Sequence, residues 1–504
     1  MNERKHVLLI NPQIAKKRHA RFPLAVLNLS ASLDEHYDSS IIDGNIDSDY
    51  IATTLRAIEQ RQVNAVGVSV MGGPQLQTAI AVCSAIRQRF PATPIIWGGH
   101  FPTICAEPAL KSPYTDFAIR GQGEDTLPQL LDTIFSGESE NLANIAGLSW
   151  RSGDKVVHNP NRAFSAAGAA RELPYERLGN PRPYLTSTYL GRRTTGYQAA
   201  LGCRFRCTFC GVAAMFRGRT SMPAPERLEH HMKHLVTQFG VDSIIFYDHN
   251  FFDREADTIP VLEVLARFAL PWWCFARADA LLNMSARSWE LVRRSRLKMA
   301  YIGAESPSDW LLHDVRKGTS TDQTLAAVEL CRSHGVTAEL SFMLAPPQDP
   351  EGETERTFEF IRHIKRLHPK TEIMLYIYAP LPPPPGSRNA QVERSIATLK
   401  DAMGRPLEFP RTAQGWAKPD WVNYWCHTDV PWLTPRLRSR IKDFTTVLGC
   451  RFPTATDIRS PGWGKAALRT LASWRYGLRR YERPWELDVS KRIIRLWDPR
   501  VSGL

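Results

Sequence analysis

The chain of 504 residues has no stretch approaching the ~18 consecutive apolar residues that a membrane span requires. Its opening, Met1-Asn2-Glu3-Arg4-Lys5-His6, leads into only a brief apolar run, Val7 to Ile10, too short for a signal-peptide core and without a small-residue cleavage site. Export is not expected, and a cytoplasmic location is. Cysteine is scarce and odd in number: nine residues, of which six are scattered and three cluster. That scatter, in a reducing compartment, excludes a disulfide framework. The cluster then reads as metal or redox chemistry, and the other six cysteines as small buried apolar residues. No repeat with a period of ~20–50 residues and no long low-complexity tract is present, which excludes a solenoid.

What is there suits a soluble globular protein of roughly three domains of about 150 residues. Hydrophobic residues make up 43% and charged residues 23% of the chain, close to globular averages. The formal net charge of +13 is unevenly placed: from Pro431 to Leu504 there are 16 Lys and Arg against 6 Asp and Glu, so this last seventh carries +10.

Over the first 135 residues, short apolar strand patterns (6–10, 40–43, 65–70, 94–97, 116–119) alternate with amphipathic helical ones (24–33, 52–60, 76–90, 126–135). Such alternation predicts a parallel, doubly wound α/β sheet whose ligands lie beyond the carboxyl ends of the strands. Those ends carry Met71-Gly72-Gly73-Pro74, Gly98-Gly99-His100-Phe101-Pro102-Thr103 and Gly121-Gln122-Gly123-Glu124. Glycine there admits a bulky ligand close to the backbone, although each turn taken alone reads equally as a tight strand-to-helix connection. Residues 150–194 lack periodicity and read as a surface linker. A second series follows, with strands expected at 196–201, 243–248, 272–276, 299–303, 338–343 and 372–378 and helices between them. Six β/α units predict a partial TIM-type barrel with chemistry at the strand carboxyl ends. The proline-rich stretch Pro380 to Gly386 ends that series. The expected division is 1–149, linker 150–194, barrel 195–390 and a basic, Trp-rich, mainly helical region 391–504.

At the end of the first barrel strand stands Gly202-Cys203-Arg204-Phe205-Arg206-Cys207-Thr208-Phe209-Cys210-Gly211, a C-x3-C-x2-C loop. Three thiolates so close in sequence suit one iron–sulfur cubane and leave one iron open, with Arg204 and Arg206 expected to favour deprotonated sulfur. A structural zinc site is the alternative, but it is closed by four ligands, usually from two knuckles, and no second knuckle is evident.

The loop, with Phe209 just before the third cysteine, resembles the signature of the radical S-adenosylmethionine (SAM) enzymes. Phe246-Tyr247-Asp248-His249-Asn250-Phe251 is similar to that family's second-strand segment, Phe275-Ala276-Arg277-Ala278-Asp279 to its third-strand arginine, and Gly303-Ala304-Glu305-Ser306 to its fourth-strand acidic residue near the SAM ribose. Upstream, Pro94 to Thr103 followed by Gly121 to Thr126 resembles the cobalamin-binding domain of cobalamin-dependent radical SAM enzymes. The resemblance implies a [4Fe-4S] cluster on Cys203, Cys207 and Cys210. It implies SAM near Phe209, Asp248, Arg277, Gly303 and Glu305, with Arg277 on its carboxylate and Glu305 on its ribose. It implies cobalamin near Gly72, Gly98, Gly99, His100, Pro102, Thr103, Gly121, Gly123 and Glu124. Asp34-Glu35-His36-Tyr37-Asp38-Ser39 begins like the D-x-H-x-x-G cobalt-ligating motif of other cobalamin proteins, but Ser39 stands where glycine is required. His36 therefore reads as a helix-end surface residue, and the resemblance implies cobalamin without a protein histidine on cobalt.

Three functions stay open. In the first, the chain is a C-methyltransferase acting on an unactivated carbon through a 5′-deoxyadenosyl radical and methylcobalamin. In the second, the same cofactors serve oxidative ring closure of a tetrapyrrole or a rearrangement. The third is a non-catalytic cobalamin or redox sensor that binds nucleic acid. The expected partners are a small-molecule, lipid or tetrapyrrole-like substrate and a flavodoxin or ferredoxin reductant. The basic tail, with Trp463, Trp474, Trp485 and Trp497 among its arginines, suits a peripheral membrane contact, a nucleic acid or an acidic redox partner, but a helical cap over the barrel is the favoured reading.

Overall fold

The computed structural model describes residues 4–165, 171–222, 224–387, 390–455 and 462–490. The small-residue run 166–170 and Lys491, Arg492 and Trp497 lie outside the described residues, as does the side chain of Trp463.

The first sheet is built on β1 (His6–Asn11), β2 (Asp38–Asp43), β3 (Val63–Ser69), β4 (Ile95–Gly98) and β5 (Phe117–Ile119), all parallel, in the order β2-β1-β3-β4-β5. That is the flavodoxin-like order, with its switch point between β1 and β3. In β1 the pleat sends Val7 and Leu9 to one face and Leu8 and Ile10 to the other, and all four are fully buried. Val7 and Leu9 pack under helices Leu24–Leu33 and Thr126–Ser136. Leu8 and Ile10 pack under Tyr50–Arg61 and Pro74–Arg89.

Part of the expected linker is not a linker. Leu148–Ser152 (β6) and Lys155–His158 (β7) form an antiparallel hairpin on the far side of β5, turning at Gly153 with φ +60°. Strands of five and four residues in which only Leu148 and Ser149 are buried carry too little alternation to read as such in sequence.

The second sheet contains β8 (Thr194–Tyr197), β11 (Ser243–Phe246), β12 (Trp272–Ala276), β13 (Leu297–Glu305), β14 (Thr337–Leu344) and β15 (Glu372–Ile377). All are parallel and in sequential order, an open six-stranded arc. Between β8 and β11 a small hairpin, β9 (Leu201–Gly202) with β10 (Thr220–Ser221), closes the base of the cysteine loop. The expected continuous strand 196–201 is thus two short strands separated by a bend.

The carboxy-terminal region is helical, with the longer helices at Pro435–Arg451 and Gly462–Gly477. It does more than cap the barrel. Trp416 and Trp425 pack edge-on and tilted against Phe101 of the first domain, with ring centroids 6.4 and 5.5 Å away. Among the described residues no helix is long and apolar enough to cross a membrane.

Candidate functional site

The cysteine loop is braced from below by a buried carboxylate. Asp248, at the end of β11, accepts the backbone N–H of Ala199 at 2.9 Å and that of Ala200, which holds the bend between β8 and β9. Its side chain is fully buried, and burial pushes its carboxyl up to about 7 against those two donors. In this structure the Asp248 carboxylate positions the loop through these two bonds. Gly202 has φ +79°, and a Cβ there would lie 2.2 Å from the Arg219 carbonyl, so only glycine closes the hairpin.

Within the loop Cys207 is buried and Cys203 and Cys210 are half-buried. Arg204 pairs with Asp253 at 3.2 Å, and Arg206 lies over Gly218. The cation beside the sulfurs is instead Arg277: its guanidinium sits 3.5 Å from the Phe205 ring centroid, with Nη1 4.0 Å from the Cys207 Sγ. The expectation that Arg204 and Arg206 favour thiolate is corrected accordingly. Burial holds the Cys203 thiol above its ordinary value and pushes that of Cys210 up to about 11. Among the described residues no three His, Cys, Asp or Glu side chains gather around a point that a single metal ion could occupy. The donor set of three thiols and no fourth protein ligand fits a cubane with one open corner.

Arg277 donates to Asp279 (2.9 Å) and to the Lys317 carbonyl (2.6 Å), so its donors are engaged within the protein. Lys317 in turn pairs with Glu305 at 2.7 Å, both side chains being buried. Glu305 holds φ +62°, a conformation that L-residues adopt at a cost. A Cβ on Gly303 would fall 2.2 Å from Glu305 Oε1 and 2.6 Å from Lys317 Nζ, so Gly303 is the floor beneath this ion pair. Sequence reasoning missed Lys317. It is twelve positions from Glu305, in a loop, and carries no local signal of the partnership.

On the facing domain, Thr103 ties two glycine-bearing strand ends together: its hydroxyl donates to the Gly99 carbonyl (2.7 Å) and accepts the N–H of Gly121 (2.9 Å). Gly99 and Gly121 both have positive φ, and a Cβ on Gly98 would meet nothing within 4 Å. Pro102 is buried in the short helix His100–Ile104, and Gly123 packs on Leu29. The buried Nδ1 of His100 and Oε2 of Glu124 have no hydrogen-bond partner, so polar atoms await a ligand at this edge. These left-handed glycines, the open flank of Gly98 and the unpartnered polar atoms fit a large polar cofactor. Gly72 differs from the expectation. A Cβ on it would collide with the Trp425 indole at 1.8 Å, so a side chain of the carboxy-terminal region already covers it. His36 is exposed beside Glu35, as expected.

The two halves meet. Gly211, next to Cys210, lies so close to His100 that a Cβ there would stand 2.0 Å from the ring Nε2. His249 and His427 neighbour His100. Burial, then the nearby imidazoles, push His100 down to about 4, and burial does the same to His249. The junction is therefore lined by neutral rings. A cavity of about 550 Å³ opens here, bounded by Cys207, Phe209 and Cys210, by Thr103 and Gly121, and by the proline-rich stretch at Leu381 to Pro384.

Comparison with known proteins follows the same division. Residues 15–131 match the B12 binding domain family model, and residues 197–361 the radical SAM superfamily model. An uncharacterized methyltransferase of Pyrococcus horikoshii is 24% identical over 68% of this chain and 73% of its own length. The anaerobic magnesium-protoporphyrin IX monomethyl ester cyclase of Synechocystis is 25% identical over 56% of this chain, a match that spans only 54% of that relative. The fold is similar to that of the radical SAM methyltransferase TsrM from Kitasatospora setae, with TM-score 0.67 and 17% identity, covering 99% of this chain and 100% of that one.

Proposed function

The chain belongs to the radical SAM enzymes that carry an amino-terminal B12-binding domain, and from that premise we propose that it is a methyltransferase acting on an unactivated carbon of a small molecule. The observation that carries this reading is the cavity in which Cys207, Phe209 and Cys210 face Thr103 and Gly121. A cluster-and-SAM site and a cobalamin site would there share one space. When bound, the [4Fe-4S] cluster with SAM supplies a hydrogen-abstracting radical and cobalamin a transferable methyl group; the protein supplies position and dryness.

Cys203, Cys207 and Cys210 would hold the cluster, and Asp248 and Arg277 keep their loop in place from behind and from the side. The Glu305–Lys317 pair presents a fixed charge pattern at the end of β13, where a ribose would find an acceptor. Phe209 forms an apolar wall, and Thr103 with Gly99 and Gly121 shapes the edge that would receive cobalamin. Leu381 to Pro384 shield the cavity from bulk water. A flavodoxin or ferredoxin is the expected electron source.

The test is anaerobic reconstitution with iron, sulfide and cobalamin, followed by assay of 5′-deoxyadenosine and S-adenosylhomocysteine. Methyl transfer predicts both, and a substrate product heavier by one methylene unit. Deoxyadenosine without S-adenosylhomocysteine would favour the second reading, ring closure, which the similarity to the magnesium-protoporphyrin ester cyclase supports. Neither product from protein with a full cluster would overturn both.

A further inference from the structure

The molecule has a second, larger cavity, of about 1050 Å³, at the opposite end of the barrel. It opens between the starts of β13, β14 and β15 and the helices Pro435–Arg451 and Gly462–Gly477. Lys298, Arg366, Lys370, Arg451 and Arg469 line it, and none of the five has a carboxylate partner among the described residues. Among the described residues the one acidic side chain on its wall, Glu372, accepts the N–H of Ala455 at 2.6 Å. Tyr476, also on the wall and 8% exposed, has a buried hydroxyl without a partner. Five cations with no carboxylate partner among the described residues and an orphaned hydroxyl on one concave surface are the complement of an anion rich in oxygen.

The same carboxy-terminal helix carries a second feature. Successive residues of an α-helix are about 100° apart, so the exposed arc of Gly462–Gly477 runs from Arg469 and Ser473, on the cleft rim, through Thr470 to Leu471 and Trp474. Leu478 continues that stripe beyond the helix end. Trp474 is 45% exposed, Leu478 65%, Trp485 69% and Val489 46%. Large exposed apolar side chains concentrated within residues 471–489 are unusual in a soluble monomer and mark a contact site.

We propose that this face docks on an anionic membrane surface, with lipid phosphates seated in the basic cleft and Trp474, Leu478 and Trp485 entering the headgroup boundary. Charge complementarity and the kind of apolar residue select this occupant. Tryptophan beside leucine and valine, ringed by arginine, matches the interfacial zone of a bilayer. A nucleic acid would use the aromatics as stacking platforms but gains nothing from Leu471, Leu478 and Val489. An acidic electron donor would have to sit near the cysteine loop, whereas the cleft lies at the other end of strands that put at least ~20 Å between them.

The test is co-sedimentation of the full chain with vesicles of phosphatidylglycerol and phosphatidylcholine in equal parts, against phosphatidylcholine alone. It needs neither cluster nor cobalamin, so its outcome is separate from that of the methyl-transfer assay. Binding to the anionic vesicles is expected, weakening as salt rises. Arg366→Gln, Lys370→Gln and Arg469→Gln should each weaken it about fivefold. Trp474→Ala with Leu478→Ala should weaken it roughly tenfold and reduce the blue shift of tryptophan emission on vesicles. All five residues are exposed, so these variants should keep the wild-type circular dichroism. The proposal is overturned by equal binding to neutral vesicles, by no binding, or by binding that survives both sets of changes. Saturable binding of inorganic pyrophosphate or duplex DNA by a protein that ignores vesicles overturns it as well.

Discussion

Glu305 stands in a left-handed backbone conformation with its carboxylate against the Lys317 ammonium, both out of water and over a glycine that leaves them room. Removing one charge of such a pair strands the other. Glu305→Gln should therefore cost about 3–5 kcal/mol in urea unfolding, while Glu305→Met with Lys317→Met should recover most of that loss without restoring SAM cleavage. Asp248 makes a second prediction at this scale. Its folded carboxyl value, about 7, lies above the ordinary 3.8. Between those values the unfolded chain has released the proton and the folded one retains it. Stability from this group is thus fully present in acid, falls as pH rises through that window and is level above it. Asp248→Asn, which does not titrate, should gain on the wild type by an amount on the order of 4 kcal/mol across the window, read by unfolding on either side of it. The cysteines, Arg277 and Glu305 were legible as residues of interest from their motifs. Lys317 was not, because an ion pair between a strand end and a distant loop leaves no mark in either segment.

At the scale of elements, the eleven parallel strands were readable because each is apolar and bounded by turn residues, and their expected limits differ from the observed ones by only a few positions. The β6–β7 hairpin and the break between β8 and β9 were not. The first is half-exposed, and the second depends on a carboxylate 48 residues away. The docking of the carboxy-terminal aromatic segment on Gly72 was equally hidden. A Cβ on Gly72 has no space beside the Trp425 indole. Gly72→Ala should therefore destabilise by about 1–3 kcal/mol and Trp425→Ala by about 3–5 kcal/mol. The double variant should be no less stable than Trp425→Ala alone, since the collision is then gone. A double-mutant cycle in urea measures this coupling, and simple additivity would show that the two residues do not meet.

Across the whole molecule, one continuous buried apolar network runs from Leu8 and Trp97 of the first domain, through Phe246 and Phe342 of the barrel, to Trp416 and Leu487 of the carboxy-terminal region. Three units that share a core lose part of it when any one opens. Unfolding in urea should accordingly give coincident transitions by far-ultraviolet circular dichroism and tryptophan fluorescence. Brief proteolysis should release no stable fragment ending near residue 150 or 390. Separate transitions would mean that the interfaces contribute little.

Local order was determined by the sequence itself: the alternation of strand and helix, the three closely spaced thiols and the glycines at strand ends all rest on periodicity and on residues a few positions apart. Tertiary structure alone decided which cation stands beside the sulfurs, what covers Gly72, that His100 meets the cysteine loop, and that five cations with no carboxylate partner among the described residues converge beneath the barrel. Those outcomes depend on contacts between segments tens to hundreds of residues apart, where packing and desolvation act and where no local pattern carries information.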